Sequence, residues 1–306
     1  MSIGLVCQYL EPIIKRSGNV EYNNISGEKT LQYKQYLKNL YSKEHIEEVW
    51  YSNCINLLSL IKRIYKEGYR VFRFSSSLFP LYDVEQKLLY NSKAKFFLKD
   101  IGDFVKDNNI RITTHPDQFV LLSSNREEVN NKSILMLEHY GWIFDSMELP
   151  KSNYYCINIH GGTKGNSNIL ISNINKLSYS VKSRLTLEND ERSYSIKDLY
   201  KVYLQTGIPI VFDSHHHSFN AENLSTENAL NLSIETWIKI KPLTHLSNSN
   251  QDFVNGSFFD RRKHSDYVYS IPEYQKLLNN ENKIDFEFKM KNFAIKKAIK
   301  DFDIAL

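Results

Sequence analysis

Short apolar segments with strand character alternate with longer segments of helical periodicity along almost the whole chain. The strand segments include RVFRFS at 70–75, RITTH at 111–115, YYCINIH at 154–160 and PIVFD at 209–213. Strands alternating with helices indicate a parallel sheet with right-handed crossovers. About eight such units predict an α/β protein with a single (β/α)8, or TIM, barrel, and residues 1–306 are treated as one domain. A doubly wound open sheet is the competing fold. It is disfavoured because the first strand ends in CQYLEP and not in a GxGxxG turn.

Histidine and acidic residues lie at the predicted carboxyl ends of these strands. The positions are His115, His160, Glu188, Asp213, His245 and Glu287, with His264 in the loop after His245. Because the carboxyl ends of all strands in such a barrel face one side, these side chains should converge on one pocket. Imidazole and carboxylate groups suit divalent transition metals. We therefore expect two or three divalent ions at this end of the barrel, which is chemistry suited to phosphodiester hydrolysis.

The histidine run in DSHHHS leaves open which ring faces this pocket. Asp213 and His215 share a face if the strand continues, because side chains alternate along a strand. If the chain turns after Ser214, His216 points inward instead. His217 is expected to face solvent or to support a ligand from behind.

The segment PDQFV follows His115 and presents Gln118 and Phe119 beside the predicted metal pocket. A glutamine can pair with a base edge, and an aromatic ring can wedge into a base stack. The alternative is that Phe119 closes the mouth of the barrel as a packing residue. The pair therefore makes nucleic acid a candidate substrate without deciding the matter.

Three consecutive cations, Arg261, Arg262 and Lys263, precede His264. Such a run suits contacts to phosphate groups, although a solvated loop is its commoner meaning. The formal net charge of +4 permits a nucleic-acid partner but does not require one, because binding needs a local basic face.

The cysteine content and the hydropathy pattern exclude several protein classes. Three cysteines form no disulfide framework and fit a reducing compartment. The apolar start has no basic lead-in or cleavage site, and no segment approaches the roughly 20 apolar residues that span a bilayer. We expect a cytoplasmic protein that is neither secreted nor membrane-bound.

Eight segments together resemble a known family. They are IGLVCQYLEP, FRFSSSLFP, THPDQFVLLSS, NIHGG, LTLENDE, VFDSHHH, THLSNSN with HSDY, and DFEFK, in this order from Ile3 to about Lys289. This combination is similar to the UV damage endonuclease family, TIM-barrel DNA repair nucleases related to endonuclease IV. The resemblance implies a metal-dependent enzyme that incises duplex DNA immediately 5′ to cyclobutane pyrimidine dimers and 6-4 photoproducts, leaving a 3′-hydroxyl.

The resemblance also implies roles for individual residues. Mn²⁺ is the expected metal, with Zn²⁺ or Mg²⁺ as alternatives, and Glu188 would bridge two ions. The Asp-x-x-His spacing of the relatives selects His216 over His215, and Glu188, His115, His160 and His245 would form the catalytic centre. The implied metal ligands are His115, His160, Glu188, Asp213, His216, His245, His264 and Glu287.

Further matches concern the DNA. Gln118 and Phe119 match the pair that relatives insert opposite the lesion, where Tyr is frequent in place of Phe. Relatives also use polar residues of strand one near the lesion, and Gln8 and Tyr9 are the nearest candidates here. The phosphate-binding candidates are Arg261, Arg262 and Lys263.

The sequence departs from the family pattern at one position. Some relatives carry a carboxylated lysine two residues before the histidine of strand seven, where this chain has Leu243. Either that group is absent here, or Pro242 shifts the register so that Lys241 replaces it.

Two other functions remain as alternatives to a monomeric enzyme acting on UV-damaged DNA. A sugar isomerase or epimerase of the xylose-isomerase-like class would also use strand-end ligands, but mostly carboxylates with one or two histidines. A non-catalytic damage-binding protein would not need so full a set of ligands.

Overall fold

The barrel is closed and fully parallel in a computed structural model, which describes residues 2–253, 255–271 and 283–304. Its eight strands are β1 (Ser2–Val6), β4 (Val71–Phe74), β5 (Arg111–Thr114), β6 (Ile157–His160), β7 (Leu185–Glu188), β8 (Ile210–Asp213), β9 (Leu243–Leu246) and β10 (Lys283–Phe286). Strand β1 pairs with both β4 and β10, which closes the sheet. The predicted (β/α)8 barrel is therefore confirmed, and the open doubly wound sheet is wrong.

Helices cover the outside of the barrel, and their ends follow local sequence signals. Ser42 caps the first turn of the helix that precedes β4, and Ser195 and Asp198 form a capping box before β8. Gly207 ends that second helix in the left-handed conformation, at φ 70°. Within the described residues, no helix is both long enough and apolar enough to cross a membrane. The helices are α1 (Tyr33–Tyr36), α2 (Lys43–Lys66), α3 (Gln86–Asn91), α4 (Ala94–Asp107), α5 (Glu127–Ser146), α6 (Ser167–Lys176), α7 (Tyr179–Lys182), α8 (Ile196–Thr206), α9 (Ser214–Phe219), α10 (Thr226–Glu235), α11 (Phe258–Arg261) and a last helix, Lys291–Phe302.

Two long segments between barrel strands contain short elements of their own. The polar segment after β1 forms an antiparallel hairpin of β2 (Leu10–Ile14) and β3 (Val20–Asn24), which packs Tyr22 edge-on against Phe293 of the last helix. The segment after β9 contains a 3-10 turn, Gln251–Phe253, and the short helix α11. Both elements are short and largely exposed, so they carry little of the apolar periodicity on which the sequence prediction depends.

The amino ends of the strands form what we call the floor of the barrel. There, Leu243 packs with Val71, Cys156 and Val211 from other strands. Lys241 precedes β9 and is exposed. The alternative in which Lys241 replaces a modified lysine is therefore wrong, because the strand begins after Pro242 and points Leu243 inward.

Arg111 seals the floor. Its buried guanidinium donates hydrogen bonds to the carbonyl oxygens of Tyr154 at 2.9 Å, Lys241 at 2.8 Å and Asn153 at 3.4 Å. The guanidinium carbon also lies 5.0 Å from the ring centroid of Tyr154 and 5.2 Å from that of Trp237. This charge is thus satisfied by backbone acceptors and aromatic faces.

Candidate metal centre

The opposite end of the barrel, which we call the mouth, is organised around Glu188. This last residue of β7 is buried, and its Oε2 lies 3.1 Å from Nε2 of His115 and 3.2 Å from Nδ1 of His245. Its Oε1 lies 3.2 Å from Nδ1 of His216. The Asn158 amide also donates to Oε2. One carboxylate therefore touches imidazoles from three different strand ends.

Two groups of potential ligands share this carboxylate. His115, His160 and Glu188 form one, and Glu188, Asp213 and His216 form the other; the ligand atoms of each lie within 4.8 Å of one another. The ring of His160 lies near one ring of each group, with its centroid 5.1 Å from that of His115 and 5.5 Å from that of His216. The two groups could hold two cations with Glu188 bridging them. We call these five residues and His245 the Glu188 cluster.

A local turn decides which histidine of the DSHHHS run joins this cluster. Asp213 ends β8 and caps α9, accepting a hydrogen bond from the backbone N–H of His216 at 2.8 Å. The chain therefore turns directly after the strand, and His216 faces Glu188 while His215 faces His264, with ring centroids 5.5 Å apart.

His217 lies on the far side of the same turn. The side chain is buried, and its Nε2 is 3.1 Å from the carbonyl oxygen of Leu224. The expectation that His217 faces solvent is wrong, because helix α9 turns this ring against Phe212 of the barrel wall.

Glu287 follows β10 and extends the site toward β4. Its Oε1 lies 3.0 Å from Nδ1 of His245 and also accepts a hydrogen bond from Arg73. Its backbone carbonyl lies 2.8 Å from Nδ1 of His264. Of the predicted ligands, Glu287 is thus the one held by a guanidinium, and His264 is held through the backbone of Glu287.

The donor set fits divalent metal ions. Ring nitrogens of the Glu188 cluster lie close to carboxylate oxygens, yet Asp213 Oδ2, His160 Nδ1 and both nitrogens of His245 have no hydrogen-bond partner among the described residues. Two ligand atoms about 2.1 Å from one ion and at right angles are about 3.0 Å apart, close to the distances around Glu188.

Backbone carbonyls orient three of the predicted ligand rings, and Nδ1 of His216 lies 3.0 Å from the carbonyl oxygen of Asn189. Nδ1 of His115 lies 3.0 Å from the Pro116 carbonyl, and Nδ1 of His264 has the Glu287 carbonyl as its partner. A carbonyl at one nitrogen fixes the proton there and leaves the lone pair of Nε2 for a metal.

The charges in the cluster are strongly coupled. Burial raises the pKa of Glu188, but the imidazoles of His245 and His160 outweigh it and hold this pKa well below its ordinary value. Burial lowers the pKa of His245, but Glu188 and Glu287 outweigh it and raise this pKa well above normal. The carboxylate is therefore ionised, and a metal would compete with protons for His245.

The turn after His115 projects from the mouth. Val120 N–H donates to the Asp117 carbonyl at 2.9 Å, and this turn leaves Gln118 exposed and Phe119 73% exposed. The alternative in which Phe119 packs to close the barrel is wrong, because most of its surface is in solvent.

The two candidate DNA-contact residues after strand one lie in different environments. Gln8 is exposed, but Tyr9 is only 3% exposed, and its hydroxyl donates to Glu67 under the guanidinium of Arg63. The structure does not bring Tyr9 to the mouth. The backbone turns at Cys7 (φ 59°) and carries Tyr9 between the hairpin and the outer helices.

The basic run lies beside the Glu188 cluster. Nε of Arg262 donates to Oε1 of Glu191 at 2.7 Å, and the same oxygen is 3.8 Å from Nε2 of His216. The guanidinium carbon of Arg261 lies 5.6 Å from the ring centroid of Phe219. Lys263 has its ammonium 2.9 Å from Asp260 and lies on the exposed side of the run.

Four residues of the site were not predicted from the sequence: Arg73, Asn158, Glu191 and Asp285. Asn158 and Asp285 each lie two positions before a predicted ligand, so strand alternation could have found them. Glu191 lies in LENDE, three residues after Glu188. Arg73 lies inside an apolar strand segment. Its role in the site can be recognised only once strands β4 and β10 are brought together in the barrel.

Comparison with known proteins now identifies the family. A family model described as UV-endonuclease UvdE matches residues 12–305. The chain belongs to the UV-endonuclease family. It is 35% identical over 278 residues to a UV DNA damage endonuclease of Nostoc sp., covering 87% of this chain and 83% of the relative. It is 31% identical to a UV DNA damage endonuclease of Bacillus velezensis, covering 89% and 88% of the two chains.

Solved structures agree with this family assignment and confirm the resemblance found in the motifs. The crystal structure of SacUVDE matches with a TM-score of 0.81 at 30% identity, covering 99% of this chain and 98% of that one. A D-tagatose 3-epimerase-like protein matches with a TM-score of 0.58 at 13% identity, covering 99% and 97%. The second likeness extends to the barrel fold alone.

Proposed function

We propose that this member of the UV-endonuclease family is a metal-dependent DNA repair nuclease. It incises duplex DNA immediately 5′ to cyclobutane pyrimidine dimers and 6-4 photoproducts and leaves a 3′-hydroxyl. The observation that carries the proposal is the Glu188 cluster, in which one buried carboxylate faces three imidazoles.

The residues of the cluster have complementary tasks in this proposal. Glu188 would bridge two of two or three divalent ions, with Mn²⁺ as the expected metal. His115 and His160 would hold one ion, and Asp213 and His216 would hold the other. When bound, such ions supply a nucleophile at neutral pH and stabilise the attacking and leaving oxygens of the phosphodiester.

His245, Glu287 and His264 complete the ligand set toward β10. His245 faces Glu188 and Glu287 with one ring nitrogen, so it joins the two carboxylates. Arg73 holds Glu287 from behind and offsets part of the negative charge that the site gathers. The protein thereby orients the ligands before DNA arrives.

The rim of the mouth supplies DNA recognition. Gln118 and Phe119 stand in solvent on the turn after a ligand, where an aromatic ring can enter a base stack that a lesion has weakened. The basic run lies on the other side of the mouth and would contact phosphates; it consists of Arg261, Arg262 and Lys263. Gln8, exposed after β1, is a further candidate contact.

A mapped nick tests the proposal. The protein is incubated with Mn²⁺ and a duplex that carries one cyclobutane dimer, and the products are sized on both strands. The expected product is a single break at the phosphate directly 5′ to the dimer, ending in a 3′-hydroxyl that a polymerase extends. An intact duplex, or equal cutting of an undamaged duplex, would contradict the proposal. Epimerisation of a free ketohexose would instead favour the sugar-enzyme alternative.

A further inference from the structure

Asp285 is a buried carboxylate to which the ligand set assigns no role. It lies in β10 with 0% exposure, and neither of its oxygens has a hydrogen-bond partner among the described residues. The neighbouring strand makes room for it, because a Cβ placed on Gly4 would lie 2.1 Å from Oδ1 of Asp285. Burying a carboxylate without a hydrogen-bond partner costs folding free energy, so we expect a neighbouring group that benefits from this charge.

His245 is the nearest candidate partner. Asp285 and His245 are directly paired in register between β10 and β9, so their side chains enter the barrel side by side. Nε2 of His245 lies 3.7 Å from Oδ2 of Asp285. The other nitrogen of the same ring, Nδ1, faces Glu188 and Glu287. The imidazole therefore has Glu188 and Glu287 at one nitrogen and Asp285 at the other.

The neighbouring guanidinium of Arg73 interacts with Asp285 through its charge but directs its hydrogen bond elsewhere. Arg73 is buried nearby, but it donates to Glu287. Asp285 is thus not the acceptor of the hydrogen bond that Arg73 makes in this part of the barrel.

We propose that Asp285 is the positioning residue of His245. Its carboxylate would accept a hydrogen bond from Nε2–H, which keeps the proton on Nε2 and leaves the lone pair of Nδ1 for a divalent ion. Carboxylates behind ligating histidines orient the ring and raise its basicity. The inference rests on the proposed function only in requiring that the Glu188 cluster bind metal; it is independent of the DNA substrate.

Two substitutions with different hydrogen-bonding capacity test this role. Asp285→Leu removes the acceptor, whereas Asp285→Asn keeps one acceptor oxygen in nearly the same volume. Mn²⁺ affinity is measured by competition with a fluorescent chelator, and thermal unfolding is measured in EDTA. Asp285→Leu should bind Mn²⁺ about 10- to 100-fold more weakly, and Asp285→Asn should fall between it and the wild type.

Stability separates positioning from a structural role. Because neither oxygen of Asp285 has a hydrogen-bond partner among the described residues, an apolar replacement should leave the unfolding temperature in EDTA unchanged or higher. Thr244→Val is the matched control, since Thr244 is also buried with an unpartnered hydroxyl beside His245 along β9, and it should leave Mn²⁺ affinity unchanged.

Two results would overturn the proposal. One is Mn²⁺ binding by both Asp285 variants at the wild-type affinity. The other is a lower unfolding temperature for Asp285→Leu with unchanged affinity in Asp285→Asn. A wild-type protein that binds Mn²⁺ but cuts no damaged duplex would defeat the proposed function and leave this role of Asp285 intact.

Discussion

Arg111 at the floor and the Glu188 cluster at the mouth are buried polar groups in opposite hydrogen-bonding situations. At the floor, the buried guanidinium of Arg111 has backbone carbonyl acceptors around it and aromatic rings nearby. At the mouth, Asp213, His160 and His245 are held close to opposite charges, yet each keeps a polar atom without a hydrogen-bond partner in the described chain. Both ends are built by the same strands, so the difference lies in which positions carry polar side chains.

This contrast separates stability from chemistry. A buried group that is fully hydrogen-bonded contributes to folding, and it has no capacity left for a ligand. A buried group that keeps a free lone pair costs folding free energy, and it is ready to bind a metal. Substitutions at the floor should therefore change stability, and substitutions at the mouth should change metal binding and activity.

The largest expected effect is at the centre of the mouth. Glu188→Gln should lower the nicking rate by orders of magnitude, because an amide bridges two cations poorly. The rate is measured with a dimer-containing duplex at saturating Mn²⁺, and thermal unfolding should show a folded protein. A variant that nicks at the wild-type rate would remove Glu188 from the site.

The matching change at the floor should act on stability. Arg111→Met removes the buried donor to several backbone carbonyls, and we expect it to lower the free energy of unfolding by about 3 kcal/mol or more. Urea denaturation in EDTA measures this loss. The folded fraction should bind Mn²⁺ with wild-type affinity, and a protein of unchanged stability but weakened Mn²⁺ binding would contradict the division between the two ends.

Phe119 should affect recognition without affecting the metal. Phe119→Ala should weaken binding to a dimer-containing duplex by about 1–3 kcal/mol, the range of base–aromatic stacking. Fluorescence anisotropy measures binding, and metal analysis should show unchanged Mn²⁺ content. Phe96→Ala is the matched control, because Phe96 is similarly exposed but lies on α4. Loss of metal with normal binding to damaged DNA would contradict the recognition role of Phe119.

The smallest effect concerns single phosphate contacts. Replacing Arg261 and Arg262 with Ala should weaken binding to damaged and undamaged duplex alike. It should also reduce the log–log salt slope by about 0.9 per lost contact. The floor cation Lys241, also exposed, provides the control, and Lys241→Ala should leave the slope unchanged. If the arginine variant also keeps the wild-type slope, the basic run is a solvated loop.

Much of the mouth could be predicted from the sequence. Strand alternation and the closed barrel together require that residues at strand ends such as His115, His160 and Glu188 converge, whatever the details of packing. The interactions at the floor were harder to predict from the sequence. Arg111 is the first residue of a strand, and its acceptors are backbone carbonyls that no side-chain pattern encodes.

The remaining details depended on turns and on pairing between strands. The choice of His216 over His215 follows from the capping of α9, in which the Asp213 carboxylate accepts a hydrogen bond from the backbone N–H of His216; the spacing alone leaves this choice open. The burial of Tyr9 follows from a left-handed turn at Cys7, an unusual conformation for that residue type. Asp285 acquires its neighbours only when β10 is placed in register between β1 and β9.

Crystals grown with Mn²⁺ test the central claim most directly, since anomalous scattering at the manganese edge locates each ion. The account predicts at least two ions in contact with Glu188, one beside His115 and His160 and one beside Asp213 and His216, and none at the floor near Arg111. A fully loaded crystal with no anomalous peak near Glu188, or with its ions at the floor, would contradict it.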